Sequence, residues 1–530
     1  MIRPAIVANA DHLARQIDGR LRERVLRIAL RPRTTAFLDD AELRRVFEDA
    51  KGVTPAAGFT PGRFASLLPS VLGSRVLVAG LVAGLFVVDW RLGVVFLLTQ
   101  LKLEDEMQKV RSGMIARAAA APQELGYDLE LATTTESANE VRVFGLGRWL
   151  LERYESGTRS HMRGAWASRR DFSPSLIALL IWVAVLDVAA LVLLANGATS
   201  GSVTLAELTF ALTAIMALNP NGAVNQDDVL VSFAAASIGR IAAAEEALAA
   251  LDGTKPTGTV DGGPVTVRFE GVAYRYPGSD RDVLAGVGLE LRSGERVAIV
   301  GQNGAGKTTL VRLLCGLIQP TSGVVTVNGA DLTTIDPVSW RRALAVLFQD
   351  FVRYPASARD NVRFGALHWQ PDDVDERIED IGKRTGVHAR VTTMPNGWDT
   401  NLAAELSGGG SLSGGEWQRL ALTRSLVGVA AGARLLVLDE PTAALDVRGE
   451  AELFDVLVRS LEGNRDVLIA FVSHRFSTVR QAERILVVDE GRVVEDGDHD
   501  ALVGAGGLYA RMFHAQAEQF VRAENAEAEG

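Results

Sequence analysis

The stretch Arg296-Val297-Ala298-Ile299-Val300-Gly301-Gln302-Asn303-Gly304-Ala305-Gly306-Lys307-Thr308-Thr309-Leu310-Val311-Arg312-Leu313-Leu314 reads as strand, glycine loop and helix. Glycines at 301, 304 and 306 admit backbone angles closed to other residues and let the loop N–H groups turn inward around a phosphate. The positive end of the following helix adds to that anion site. Lys307 has the reach for terminal phosphates, and the Thr308 hydroxyl suits Mg²⁺, as G-x-x-x-x-G-K-[ST] requires. The plain reading is a glycine turn before a helix, but it accounts for neither the Lys-Thr pair nor the strand-loop-helix context. Residues 301–309 are therefore expected to hold a nucleoside triphosphate.

This loop alone leaves kinases, GTPases and motor ATPases open. Downstream, Arg434-Leu435-Leu436-Val437-Leu438-Asp439-Glu440 is a buried-strand run ending in two carboxylates. That form is expected where Asp439 holds Mg²⁺ through water and Glu440 polarises an attacking water. Just before it, Leu412-Ser413-Gly414-Gly415-Glu416-Trp417-Gln418-Arg419 opens a helical stretch and offers a second helix N-terminus to a phosphate.

With these residues in hand, the second half of the chain resembles the nucleotide-binding domain of an ATP-binding cassette (ABC) transporter. Leu412 to Glu416 is similar to the family signature LSGGQ, with Glu in the last place. Phe348-Gln349-Asp350 sits at the Q-loop, Ala443-Ala444-Leu445-Asp446 at the D-loop and Ser473-His474-Arg475 at the switch histidine. Tyr276 sits where the family stacks an aromatic ring on adenine. The resemblance implies that ATP is held by Tyr276 and by Gly301, Gln302, Asn303, Gly304, Ala305, Gly306, Lys307, Thr308 and Thr309. It implies Mg²⁺ near Thr308, Gln349 and Asp439, with Glu440 as general base. His474 would contact the γ-phosphate, and Gln349 would approach the attacking water. Ser413, Gly414, Gly415 and Glu416 would close over ATP on a partner subunit, so a complete site needs two cassettes. Taken singly, His474 reads equally as a strand-end histidine and Tyr276 as a packing aromatic. The first copy of a near-duplicate, Glu405-Leu406-Ser407-Gly408-Gly409-Gly410, is set aside because Gln418-Arg419 and a helix follow the second.

Composition bounds the rest. A hydrophobic share of 48% and mean hydropathy of +0.14 over 530 residues are high for a soluble chain, so part of it should meet lipid. Net charge of −10 and pI about 5.4 argue against nucleic acid as a partner. The single cysteine, Cys315, cannot form an internal disulfide and reads as a small core residue.

The fold class expected is an all-α transmembrane helical domain followed by an α/β P-loop NTPase domain. Residues 1–63 hold twelve Lys/Arg and eight Asp/Glu with apolar residues at helical spacing, a charged helical region with no signal peptide. Residues 64–252 form the membrane domain, with spans at 64–88, 92–107, 174–195 and 203–218 and a cytoplasmic loop at 108–173. Arg-rich long connections place both termini inside, and hence the cassette in the cytoplasm beneath a multi-pass cell-membrane domain. Asp187, inside the third span, faces either the bundle or a wet cavity. Residues 253–264 are a linker, 265–516 the cassette and 517–530 a tail.

These spans resemble the latter part of the exporter-type ABC membrane domain. Leu21-Arg22-Glu23-Arg24-Val25-Leu26 and Ala36-Phe37-Leu38-Asp39 are similar to its first intracellular loop, and Glu140-Val141-Arg142-Val143-Phe144-Gly145 to the end of its second. The chain thus starts where two membrane helices are expected to have passed. The resemblance implies an ATP-hydrolysing subunit that exports a small molecule, lipid or peptide as a homodimer or heterodimer, in contact with membrane lipid. The rivals are a truncated or regulatory subunit needing a full-length partner, and a soluble cassette ATPase.

Overall fold

The computed structural model describes residues 2–51, 60–119, 124–170, 174–218, 226–252, 256–403, 410–441, 455–459 and 466–528. The chain divides into two compact units: Met1–Ala29 with Val46–Glu246, and Leu30–Arg45 with Ala247–Gly530.

The first unit is helical. Its described helices are α1 (Ile2–Leu30), α2 (Ala41–Lys51), α3 (Pro61–Val88), α4 (Trp90–Ala119), α5 (Glu124–Thr133), α6 (Thr135–Val143), α7 (Gly147–Arg170), α8 (Pro174–Ser200), α9 (Leu205–Leu218) and α10 (Gln226–Ala249). Pro61 starts α3 where its missing N–H is no loss. Asp89 then breaks the chain into a hairpin, its carboxylate accepting from the Arg91 N–H at 2.8 Å. Gly93 lets α4 approach so closely that a Cβ there would lie 2.3 Å from the Phe86 ring. Val82, Leu85, Leu92, Phe96, Leu194 and Ile215 close a core shared by α3, α4, α8 and α9.

All four expected spans are helical, with shifted bounds. Leu67–Val88 and Ile177–Ser200 are long and apolar enough to cross a bilayer. On α4 the apolar run ends at Lys102, Glu104, Asp105 and Glu106, after which the helix continues as a charged rod. Helix α9 has 14 residues, short of the roughly 20 that a span needs. Large apolar side chains on α3 and α8, among them Val76, Leu77, Val87, Ile181, Trp182 and Val192, point outward rather than into a core. Glu207 accepts from the Thr204 N–H at 2.8 Å while Thr204 Oγ1 accepts from the Glu207 N–H at 3.3 Å, a capping box that starts α9.

The second unit is α/β. Its strands are β1 (Thr266–Tyr274), β2 (Leu284–Arg292), β3 (Arg296–Gly301), β4 (Ser322–Val327), β5 (Ala330–Asp331), β6 (Leu344–Leu347), β7 (Leu435–Asp439), β8 (Leu468–Val472), β9 (Arg484–Asp489) and β10 (Arg492–Gly497). One sheet is antiparallel in the order β2-β1-β4-β5; the other runs β10-β9-β3-β8-β7-β6 and is parallel from β9 to β6. Every residue of β7 and β8 is buried, as expected of strands covered on both faces. Helices α11 (Lys307–Leu314), α12 (Pro337–Arg342), α13 (Ala358–Arg363), α14 (Val374–Thr385), α15 (Val387–Val391) and α16 (Gly414–Ala430) follow in the cassette, then α17 (Phe476–Val479), α18 (His499–Gly504) and α19 (Leu508–Ala528). The first strand, β1, opens the cassette just after the expected boundary at 265 and carries a bulge after Phe269. The tail expected from 517 continues α19 to Ala528. Cys315 is buried, and burial pushes its thiol up to about 12, which fits a core residue.

Leu30–Arg45 belongs to this second unit, not to a separate N-terminal region. It carries a short 3₁₀ turn, Ala36–Leu38, whose Phe37 is buried.

Candidate nucleotide site

Register brings the motifs together. In the parallel sheet Ile299 and Asp439 both pair with Val472, and Leu347 pairs with Leu438, so β3, β8, β7 and β6 end level. The residues just beyond those ends are Gln302, Ser473, Glu440 and Phe348. Ligands of open parallel sheets settle in the crevice at such carboxyl ends. Here the crevice holds a cleft of about 590 Å³, lined by Val283, Asn303, Gly304, Gly306, Lys307, Thr308, Thr309, Gln349, Glu440 and His474.

Two glycines are dictated by space as well as angle. A Cβ on Gly301 would lie 2.1 Å from the Val488 carbonyl oxygen. Gly306, at φ +104°, would put one 2.7 Å from Leu284 Cδ2 and 3.0 Å from the Val283 carbonyl oxygen. The loop therefore folds back over the sheet, with the Ala305 N–H donating to the Gln302 carbonyl at 3.2 Å. Lys307 is 8% exposed, and its ammonium donates to the Gly301 and Gln302 carbonyls, each at 2.9 Å. Burial lowers its pKa, opposed by the charges of Glu440 and Asp439.

Asp439 closes β7 and is 3% exposed. Its Oδ1 has no hydrogen-bond partner among the described residues. Burial first, then the Glu440 charge, pushes its pKa to about 6 against the pull of Lys307. A buried carboxylate oxygen left open, with the Thr308 hydroxyl and the Gln349 amide on the cleft wall, is an oxygen donor set that fits Mg²⁺. Glu440 takes φ +48°, a left-handed conformation that a glutamate seldom adopts. Its N–H donates to the Val472 carbonyl at 3.1 Å, and its Oε1 stands 3.6 Å from His474 Nδ1. The strained turn at the strand end aims the carboxylate into the cleft.

Tyr276 is half-buried beside the loop, its hydroxyl 3.2 Å from Thr309 Oγ1 and its ring edge-on to Tyr274 at 5.0 Å. The signature stretch caps α16. Ser413 Oγ accepts from the Glu416 N–H at 3.4 Å, and Glu416 accepts from the Ser413 N–H at 2.8 Å. Arg390 pairs with the same carboxylate at 3.1 Å. Glu at the last signature position thus completes a capping box and an ion pair. Ser413, Gly414, Gly415 and Glu416 do not line the cleft. Ala443 to Asp446 and Leu406 to Gly409 lie outside the described residues.

Three neighbours escaped the sequence reading. Val283 walls the cleft, Asp350 raises the Asp439 pKa through its charge, and Arg312 touches Tyr276. Asp350 could have been found as the acidic residue after Gln349; nothing in the sequence marks Arg312.

Residues 284–443 match the family model described as ABC transporter. Over 520 residues, 96% of this chain and 84% of the relative, the sequence is 25% identical to the nisin transport ATP-binding protein NisT of Lactococcus lactis. The cassette belongs to the ABC transporter family. Higher identities cover about half of this chain. The mycobactin import ATP-binding/permease protein IrtB of Mycolicibacterium thermoresistibile is 39% identical over 255 residues, 48% of this chain and 42% of that protein. The ATP-dependent lipid A-core flippase of Bordetella avium is 36% identical over 250 residues, 47% of this chain and 40% of that protein. Those two matches therefore span less than half of each relative. A solved bacterial Atm1-family ABC exporter with ATP bound shares the fold of this chain at TM-score 0.74 and 23% identity, covering 96% of this chain and 86% of that one.

Proposed function

We propose that this chain is the ATP-hydrolysing half of an ABC exporter, working as a dimer in the cell membrane. The convergence of Lys307, Thr308, Gln349, Glu440 and His474, from four separate motifs, on one cleft at the end of a parallel sheet carries the reading. The loop N–H groups and Lys307 would hold the β- and γ-phosphates, Lys307 exchanging its two backbone carbonyl partners for phosphate oxygens. Thr308, Gln349 and Asp439 would hold Mg²⁺, which supplies charge neutralisation for the triphosphate. Glu440 accepts the proton of an attacking water, and His474, within reach of Glu440, orients toward the γ-phosphate. Tyr276 stacks on the adenine. Ser413 to Glu416, away from this cleft, present the α16 N-terminus to ATP on the second subunit.

Membrane placement draws on the outward apolar faces of α3 and α8, and on relatives named for nisin transport, mycobactin import and lipid A-core flipping. The cargo is an amphiphile, peptide or small molecule of the kinds those names span. The test is phosphate release from Mg-ATP by the full chain in lipid nanodiscs holding one or two copies. Turnover confined to discs with two copies supports the proposal. Equal turnover per chain in one-copy discs removes the shared site from it.

A further inference from the structure

Within the second unit, Leu30–Arg45 is docked against the helix that follows the glycine loop. The Thr35 N–H donates to the Leu317 carbonyl at 2.7 Å, and Arg341 Nη2 donates to the Arg33 carbonyl at 2.6 Å. The central contact is Arg312, on α11. Its Nη2 donates to Asp39 Oδ2 at 2.7 Å and to Thr35 Oγ1 at 3.3 Å. Its Nη1 donates to the Tyr276 hydroxyl at 3.2 Å, and the guanidinium carbon lies 5.8 Å from that ring's centroid. Tyr276 in turn reaches Thr309 of the phosphate loop. The ion pair is sheltered, with Arg312 and Asp39 side chains only 20% and 24% exposed.

The geometry points to Arg312 as a positioning residue that couples the base-stacking ring Tyr276 to Asp39, so that nucleotide binding and docking of the Leu30–Arg45 segment stabilise each other. This rests on the reading of Tyr276 as the adenine-stacking residue. Only a planar guanidinium can donate to Asp39, Thr35 and the tyrosine hydroxyl at once while lying near an aromatic ring. Burial alone would lower the Arg312 pKa, yet the hydrogen bonds to Asp39 and Tyr276 outweigh it, so the cation is held firmly between the two. Asp39 is not among the residues that line the phosphate cleft, and its direct hydrogen-bonded link toward Tyr276 runs through the arginine. Coupling is reciprocal: whatever strengthens the segment's docking must tighten ATP by the same factor.

The experiment compares binding of nonhydrolysable β,γ-imido ATP and of inorganic tripolyphosphate, both with Mg²⁺, to the full chain in nanodiscs by calorimetry. The variants are Asp39→Ala, Asp39→Asn, Arg312→Lys, Tyr276→Ala and the Asp39→Ala/Tyr276→Ala double. Asp39→Ala and Arg312→Lys are expected to weaken the ATP analogue about fivefold while leaving tripolyphosphate within about twofold. Asp39→Asn, which keeps a hydrogen-bond acceptor, should fall between wild type and Asp39→Ala. The double variant should bind no more weakly than Tyr276→Ala alone. Unchanged affinity for the analogue in Asp39→Ala, or additive losses in the double variant, overturns the coupling. Equal weakening of tripolyphosphate overturns it too, since that marks general damage to the loop. If Tyr276→Ala leaves the analogue's affinity unchanged, the base-stacking reading fails and the coupling with it. If Tyr276→Ala weakens binding while Asp39→Ala does not, the coupling alone fails.

Discussion

Asp439 and Glu440 are adjacent in sequence and opposite in situation. Asp439 is buried with an open oxygen and a pKa near 6, whereas Glu440 is turned by a left-handed backbone toward His474. A carboxyl whose folded pKa is raised holds its proton more tightly in the fold than in the unfolded chain. The metal-free cassette therefore loses stability as pH rises from about 3.8 to about 6. Mg²⁺ needs the ionised form, so its binding should displace a proton below pH 6, and affinity should fall up to about tenfold per pH unit there. Calorimetry at pH 5 and 7.5 reads this, and Asp439→Asn should remove the pH dependence. At Gly306, a side chain would meet Leu284 and the Val283 carbonyl at an angle L-residues avoid. Gly306→Ala should lower stability by about 1–3 kcal/mol and abolish ATP binding, read by thermal unfolding and titration. The phosphate loop and both carboxylates were legible because their residue types have few other uses. Arg312 was not, since an arginine in the last turn of a short helix looks like any solvated cation until the fold brings Asp39 and Tyr276 to it.

At the scale of elements, α16 shows what one substitution in a motif does. Glu416 in place of the family's glutamine keeps the capping box, as either residue can, and adds the pair with Arg390. Glu416→Gln should therefore cost at most about 1 kcal/mol, because the ion pair is partly exposed. Glu416→Ala should cost about 1–2 kcal/mol by losing cap and pair together. Chemical denaturation of the two variants separates the contributions, and equal losses would mean that the cap is unimportant. The same scale explains where span expectations and helices diverge. Hydropathy finds α3 and α8 because each long apolar run holds a single charged residue, Arg75 or Asp187, but α4 keeps its helical geometry past Lys102, where apolarity stops. Apolarity marks the stretch that can meet lipid; backbone hydrogen bonding carries the helix beyond it. The Leu30–Arg45 segment was read as part of a charged helical region because the few contacts that dock it, through Thr35, Asp39 and Arg33, leave no periodic trace.

For the whole molecule, the proposed chemistry in the cleft depends on one base, Glu440. Six sequence motifs and the level ends of β3, β6, β7 and β8 made the cassette readable from residues alone. Cargo was not readable, because apolar faces on α3 and α8 carry little chemical identity. The most direct test is phosphate release by the full chain and by Glu440→Gln, side by side in two-copy nanodiscs, with ATP binding measured on both. Glu440→Gln is expected to lose at least about 10²-fold in turnover while binding ATP as wild type does. Turnover within a fewfold of wild type would contradict the assignment of Glu440, and with it the proposed site.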